Sequence, residues 1–80
     1  MGRIRQLRDT GKAKFVDLLD QSGRLQVLLG KSEVGEQAWF IAEHLDLGDT
    51  VWVRGALGLT MTGELTVFAE QDGLKLLSKS

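Results

Sequence analysis

Residues 24–53 read RLQVLLGKSEVGEQAWFIAEHLDLGDTVWV, and within them the apolar period changes twice. Through Leu29 the pattern alternates, with Leu25, Val27 and Leu29 on one side and Gln26 and Leu28 on the other, as a half-buried strand requires. From Glu33 onward Val34, Ala38, Ile41 and Leu45 recur at helical spacing, with Trp39 beside that stripe. The spacing predicts a helix over 33–45. Ser32 is its expected N-cap, Glu33 and Glu36 stand where the positive helix end favours acids, and His44 falls in the last turn. Leu47-Gly48-Asp49 stops the helix, and alternation resumes over 50–59.

Working back toward the N-terminus, residues 13–19 form an earlier strand. Val16 and Leu18 point inward, and Phe15 and Asp17 point outward. Asp20-Gln21-Ser22-Gly23 joins it to the strand at 24–29 as a hairpin loop, with glycine placed for positive φ. In residues 3–8, Ile4 and Leu7 lie three apart among polar neighbours. A strand with a one-residue bulge accommodates that spacing, and Asp9-Thr10-Gly11 reads as the turn that follows.

Toward the C-terminus, Gly55 and Gly58 allow a sharp bend or close backbone contact within the strand at 50–59. Thr62-Gly63 is a turn, and residues 64–69 form a fifth strand. After Gln71-Asp72-Gly73, the segment 74–77 either extends that strand or packs under the barrel.

Three strands, a helix and two strands make an all-β domain with a small α contribution, a five-stranded OB-fold Greek-key barrel with its helix between strands three and four. Residues 1–80 form one domain with a thin core, because a chain this short buries only about 60% of the surface it exposes when unfolded. Only Met1 and Gly2 precede the basic stretch, so the opening half of strand one is expected to be truncated. Strand four then either stays open at its edge or is covered by a second copy in a homodimer.

The composition is that of a soluble domain, with 42% hydrophobic and 26% charged residues. No apolar run approaches the roughly 20 residues that cross a bilayer, and no export signal begins the chain. No membrane partner is expected, and the expected location is cytoplasmic. With no cysteine there is no thiolate metal site, and neither a metal nor another cofactor is expected. Pro, Tyr and Asn are absent as well, which favours an excised or redesigned chain. The net charge of −1 hides an asymmetry. Residues 1–31 carry seven basic side chains against three acidic ones, a net +4, and residues 32–80 carry three against eight, a net −5. A basic half suits a polyanion, while chance clustering on a solvated surface is the plainer reading.

Catalytic chemistry finds no support. His44 is the lone histidine and sits at the predicted helix end, and Gly55-x-x-Gly58 lacks the Lys-Ser/Thr of a phosphate-binding loop. Single-stranded nucleic-acid binding fits better. Phe15, outward on the second strand near Lys12 and Lys14, can stack on a base. The Gln26 amide both donates and accepts, and Glu64 accepts from a base N–H. Arg3, Arg5, Arg8 and Lys12 are candidates for phosphate contacts or base stacking. Trp39 and Trp52 read as packing residues rather than base platforms.

The run Gly2-Arg3-Ile4, Arg8, Gly11-Lys12-Ala13-Lys14-Phe15 and Leu19-Asp20-Gln21-Ser22-Gly23-Arg24-Leu25-Gln26 resembles the anticodon-binding domain of class II lysyl-tRNA synthetases. Leu45-Asp46-Leu47-Gly48-Asp49, Arg54-Gly55, Thr62-Gly63-Glu64-Leu65 and Leu76-Leu77-Ser78-Lys79 continue the resemblance in order, over nearly the whole chain. Aspartyl and asparaginyl enzymes share the domain, but the Gly-Lys-Ala-x-Phe form and the Leu-Leu-Ser-Lys ending favour the lysyl member. The resemblance implies a tRNA anticodon as partner, with the central uridine stacked on Phe15 and Arg8, Gln26 and Glu64 touching bases. It implies no catalysis by this chain, since the catalytic domain of an aminoacyl-tRNA ligase is missing. Leu59 and Met61 stand where that family often carries basic residues. Two other readings stay open beside it: a general single-stranded nucleic-acid-binding OB domain, and an engineered or minimal scaffold without a retained partner.

Overall fold

A computed structural model describes residues 1–21 and 23–79. Its elements are β1 (Gly2–Asp9), β2 (Ala13–Asp20), β3 (Gly23–Gly30), α1 (Lys31–Glu43), β4 (Thr50–Leu59) and β5 (Leu65–Ser78). The strands close into a barrel in the order β1-β2-β3-β5-β4. All neighbours are antiparallel except β3 and β5, which run parallel through Gln26–Thr66, Val27–Val67 and Leu28–Phe68. That parallel step follows from the helix, which returns the chain across the barrel end instead of through a hairpin.

The alternation read from the sequence sets which side chains fill the barrel. Val16, Leu18, Val27 and Leu29 point inward and are buried, and Ile4, Val51, Ala69 and Leu74 join them. Helix α1 closes one end by adding Val34, Ala38, Trp39 and Ala42 to this core. Each large aliphatic side chain removed from water here contributes about 1.5–3 kcal/mol. The bulge expected in β1 lies between Ile4 and Gln6. It leaves Ile4 in the core, while Leu7, opposite Val16, keeps 37% of its surface exposed. Gly23 has φ 122°, as the β2–β3 turn requires. Ser22, assigned to the same turn, lies outside the described residues.

One sequence expectation needs correction, and one open alternative is decided. Helix α1 starts at Lys31, not Glu33, and its N-cap is Gly30 without a side-chain cap bond. The Ser32 hydroxyl donates to Glu33 Oε2 instead of capping. Gly35, at φ 88°, breaks the helical path after the first turn, so the Ser32 capping signal falls inside a kinked start. The fifth strand also runs far beyond residue 69. Asp72, at φ 55°, lies within β5 where the register against β4 shifts between Val53 and Gly55. Gln71-Asp72-Gly73 is thus an irregularity inside one long strand, and 74–77 extends that strand. Gly55 makes the close approach expected of it, since a Cβ there would collide with the Phe68 carbonyl.

The barrel's last seam is short. Gly2 pairs with Val51 and Arg3 with Thr50. The Ile4 N–H donates to the Asp49 carbonyl at 2.8 Å, and the Gly48 N–H donates to the Ile4 carbonyl at 2.8 Å. From Trp52 to Leu59 that side of β4 meets no strand among the described residues. That side of β4 is an open edge beyond Val51, although the strands close into a barrel through the Gly2–Val51 and Arg3–Thr50 pairs.

Candidate nucleic-acid interface

The outer face of β2 and β3 carries the chemistry. The positions that alternate with the core residues bring Phe15 and Asp17 on β2 beside Arg24, Gln26 and Leu28 on β3. Phe15 is half-buried, with its ring lying on the sheet instead of in the core cluster. Arg8 is its cross-strand neighbour on β1, and the guanidinium carbon stands 4.7 Å from the ring centroid. A cation over an aromatic face in water contributes about 0.5–1 kcal/mol, weak enough for a planar base to displace or join it.

Gln6, Arg8, Phe15, Asp17, Arg24, Gln26 and Glu64 line one open depression of about 410 Å³. A second depression of about 540 Å³ shares Arg8, Phe15, Gln26 and Glu64 and continues to Leu28, Leu59, Met61 and Phe68. Glu64 is brought in by the β4–β5 turn. Its N–H donates to Thr60 Oγ1 at 3.2 Å, and its Oε1 accepts from Thr62 Oγ1 at 3.4 Å. Four of the residues singled out in the sequence, Arg8, Phe15, Gln26 and Glu64, thus share one concave surface that includes an aromatic ring. Such a surface combines a stacking face, a neutral group that donates and accepts, an acceptor and fixed cations, which is what a splayed base and its phosphate require.

The other candidates lie elsewhere. Arg3 lines a separate depression with Met1, Leu19 and Thr50. Arg5 is exposed beside the β1 bulge. Lys12 sits in the β1–β2 loop, where its carbonyl accepts from the Lys31 N–H, and it lines a groove with Trp39 and Phe40 of α1. Arg24 is the cation that the sequence reading passed over. Its signal was present, two positions before Gln26 on the outward side of β3.

The loop between β1 and β2 is held independently of any ligand. Gly11 N–H donates to Asp9 Oδ1 at 2.7 Å, and Lys14 Nζ donates to Asp9 Oδ2 at 2.8 Å. The Lys14 hydrogen bond and then the Gly11 N–H hold the Asp9 carboxyl below the usual carboxylate range. Lys14 also stands 5.4 Å from the Trp39 ring, which belongs to the core. Among the described residues no group of His, Cys, Asp and Glu could hold a metal ion. Among the described residues no helix is long and apolar enough to cross a membrane.

Comparison with known proteins gives one consistent result. The model of the tRNA_anti-codon family, described as an OB-fold nucleic acid binding domain, matches residues 1–74. The lysine–tRNA ligase of Aquifex aeolicus is 44% identical over 80 residues, which cover 99% of this chain and 13% of that protein. The lysine–tRNA ligase of Thermoanaerobacter pseudethanolicus is 42% identical over 79 residues, covering 99% of this chain and 15% of that protein. The chain therefore spans only a small part of these relatives. Among solved structures, asparaginyl-tRNA synthetase from Pyrococcus horikoshii, complexed with asparaginyl-adenylate, superposes with a TM-score of 0.85 at 23% identity, covering 99% of this chain and 18% of that one. At that identity the match speaks for the fold alone.

Proposed function

The chain belongs to the tRNA_anti-codon family of OB-fold nucleic acid binding domains, and from that premise we propose that it is the anticodon-binding module of a lysine–tRNA ligase. It performs no chemistry itself. Its task is to read a splayed loop base, and a ligase that contained it would work in the cytoplasm. One observation carries the reading: Arg8, Phe15, Gln26 and Glu64 line one open depression, with the Arg8 guanidinium over the Phe15 ring.

A uridine turned out of the loop lies flat on Phe15. Arg8 swings from the ring to the base edge or its phosphate. The Gln26 amide donates to a uracil carbonyl, and the Glu64 carboxylate accepts from the ring N–H. Stacking supplies affinity at about 1–3 kcal/mol per base. The two polar side chains supply selectivity, because a wrong base leaves them unpaired. Phosphate contacts add affinity that falls with salt, so binding by the module alone is weak and strongly salt-dependent.

Titrating the lysine anticodon stem-loop against poly-dT at one low salt concentration tests this. The expected result is preference for the uridine-containing loop, lost in Phe15→Ala. Equal affinity for both would support a general single-strand binder, and no binding of either would leave a scaffold without a partner.

The open side of β4 from Trp52 to Leu59 favours a second kind of contact, self-pairing of two copies along that edge. The strand is ten residues long and carries one charge, Arg54. A dimer mass by light scattering at high concentration supports that pairing, and a monomer mass counts against it.

A further inference from the structure

We infer that Trp52, on the outer face of β4, is a second stacking platform, and that a single-stranded nucleic acid runs from Phe15 across β1 to this ring. The inference rests on the nucleic-acid reading of the Phe15 surface and extends it to a longer ligand. Read from the sequence, Trp52 was a packing residue. In the structure the two tryptophans part company. Trp39 is 6% exposed and belongs to the core cluster. Trp52 is half-buried and lies outside that cluster, on the face of β4 opposite Val51.

The surroundings of Trp52 repeat those of Phe15. Lys75, its cross-strand neighbour on β5, places Nζ 5.2 Å from the Trp52 ring, and the Arg54 guanidinium carbon stands 6.0 Å away. Arg54 is steadied by Glu70 at 3.5 Å and by donation to the Gln71 carbonyl at 3.2 Å. Lys75 forms no ion pair among the described residues. An aromatic face with a cation beside it and another held in place is the arrangement on which bases stack without sequence preference.

The two platforms belong to one surface. β1 pairs with β2 at Arg8–Phe15 and, at its other end, with β4 at Gly2–Val51 and Arg3–Thr50, so β1 is the strand that leads from the Phe15 surface to the start of β4 beside Trp52. From Gly2 to Arg8 is roughly 20 Å at the usual strand rise. That distance falls within reach of the roughly 4–16 nucleotides that one such barrel holds. An open depression of about 740 Å³ lies at that seam, lined by Arg3 of β1, Leu19 of β2 and Thr50 of β4. Asp17, Asp20 and Glu70 are acidic groups on or beside this track, Glu70 being engaged by Arg54, and Arg3, Arg5, Arg8, Arg54 and Lys75 are the cations that outnumber them.

Labelled oligouridylates of about 4 and about 12 nucleotides, titrated by fluorescence anisotropy at fixed low salt, test the inference. Phe15→Ala is expected to weaken both lengths. Trp52→Ala is expected to leave the short oligomer within about twofold and to weaken the long one about five- to tenfold, the effect of one lost stack. Lys75→Gln, an exposed change that leaves the melting temperature unmoved, is expected to weaken the long oligomer about twofold and to reduce its salt dependence. Unchanged affinity for the long oligomer in both Trp52→Ala and Lys75→Gln overturns the second platform while leaving the Phe15 reading intact. Failure of the unaltered chain to bind either length overturns both.

Discussion

Two regions of the barrel bring charge together and use it in opposite ways. At the end of the barrel below α1, Asp49 is fully buried and accepts from the Asp46 N–H at 2.9 Å and from Lys79 Nζ at 2.7 Å. Lys79 also donates to the His44 carbonyl at 3.2 Å and to Asp46 Oδ2 at 3.1 Å. One ammonium thus ties the C-terminal end of β5 to the loop between α1 and β4, and the shortest of its hydrogen bonds reaches the buried Asp49 carboxylate. On the outer face of β2 and β3, Arg8 rests on a ring and Arg24 borders an open depression. Neither forms an ion pair among the described residues. The first cluster is spent on holding the fold, and the second is left available to a ligand. A polar group that lacks a protein partner but keeps its water costs little stability and can exchange that water for a base or a phosphate.

That contrast predicts separable losses. The largest is expected at Asp49→Ala, which removes the buried acceptor shared by Asp46 and Lys79. A loss of roughly 2–3 kcal/mol is expected from charge-assisted hydrogen bonds of this kind. In a domain of this size that lowers the melting temperature by more than about 10 °C. The fraction that remains folded should bind nucleic acid with unchanged affinity, measured by anisotropy below the melting transition. Phe15→Ala is the converse. Binding is expected to weaken by about 1–3 kcal/mol while calorimetry finds the melting temperature nearly unmoved.

The sequence made the strands legible because a barrel with one buried face enforces period two, and a slip of one residue would turn Val16 and Leu18 to water. The same period exposed Phe15 and Gln26 as outward residues, and the Ile4–Leu7 spacing announced the β1 bulge. Helix α1 was less legible at its start, because Ser32 carries a strong capping signal but the chain becomes helical one residue earlier, and Gly35 then breaks the path. The β5 extension was only one of two alternatives for a related reason. Gln71-Asp72-Gly73 has turn chemistry, yet the pairing of Val53 with Leu74 continues the ladder and absorbs the positive φ of Asp72 as an irregularity. Lys12 is close to Phe15 in sequence, but the loop carries it to the start of α1, and only the tertiary contact with Lys31 reveals this. The Leu76-Leu77-Ser78-Lys79 ending was recognisable as a motif. Its physical role, the grip of Lys79 on Asp49, needed coordinates.

The pH dependence sharpens the same contrast. Lys79 is held above the usual lysine value of 10.5 by its hydrogen bonds to Asp49 and then Asp46. Its contribution to stability is therefore fully present below the pKa of the unfolded chain and is lost as pH rises through the raised value. Asp9 lies below its usual 3.8, so its contribution is present above that value and is lost as pH falls through the lowered one. Thermal melts in alkaline buffer should show the first loss, and Lys79→Met should remove most of that dependence. The smallest effect is expected at Arg24→Ala. Affinity should fall modestly across all sequences, and the slope of log affinity against log salt should decrease by about 1 if Arg24 meets a phosphate.

The most direct test of the central claim is a titration of the ring-proton resonances of Phe15 with the lysine anticodon stem-loop, followed by nuclear magnetic resonance. A base lying flat on the ring shifts those protons upfield by its ring current, with the side-chain signals of Arg8 and Gln26 moving in the same titration while Trp39 and Lys79 stay in place. Binding that left the Phe15 ring signals unmoved would contradict the account.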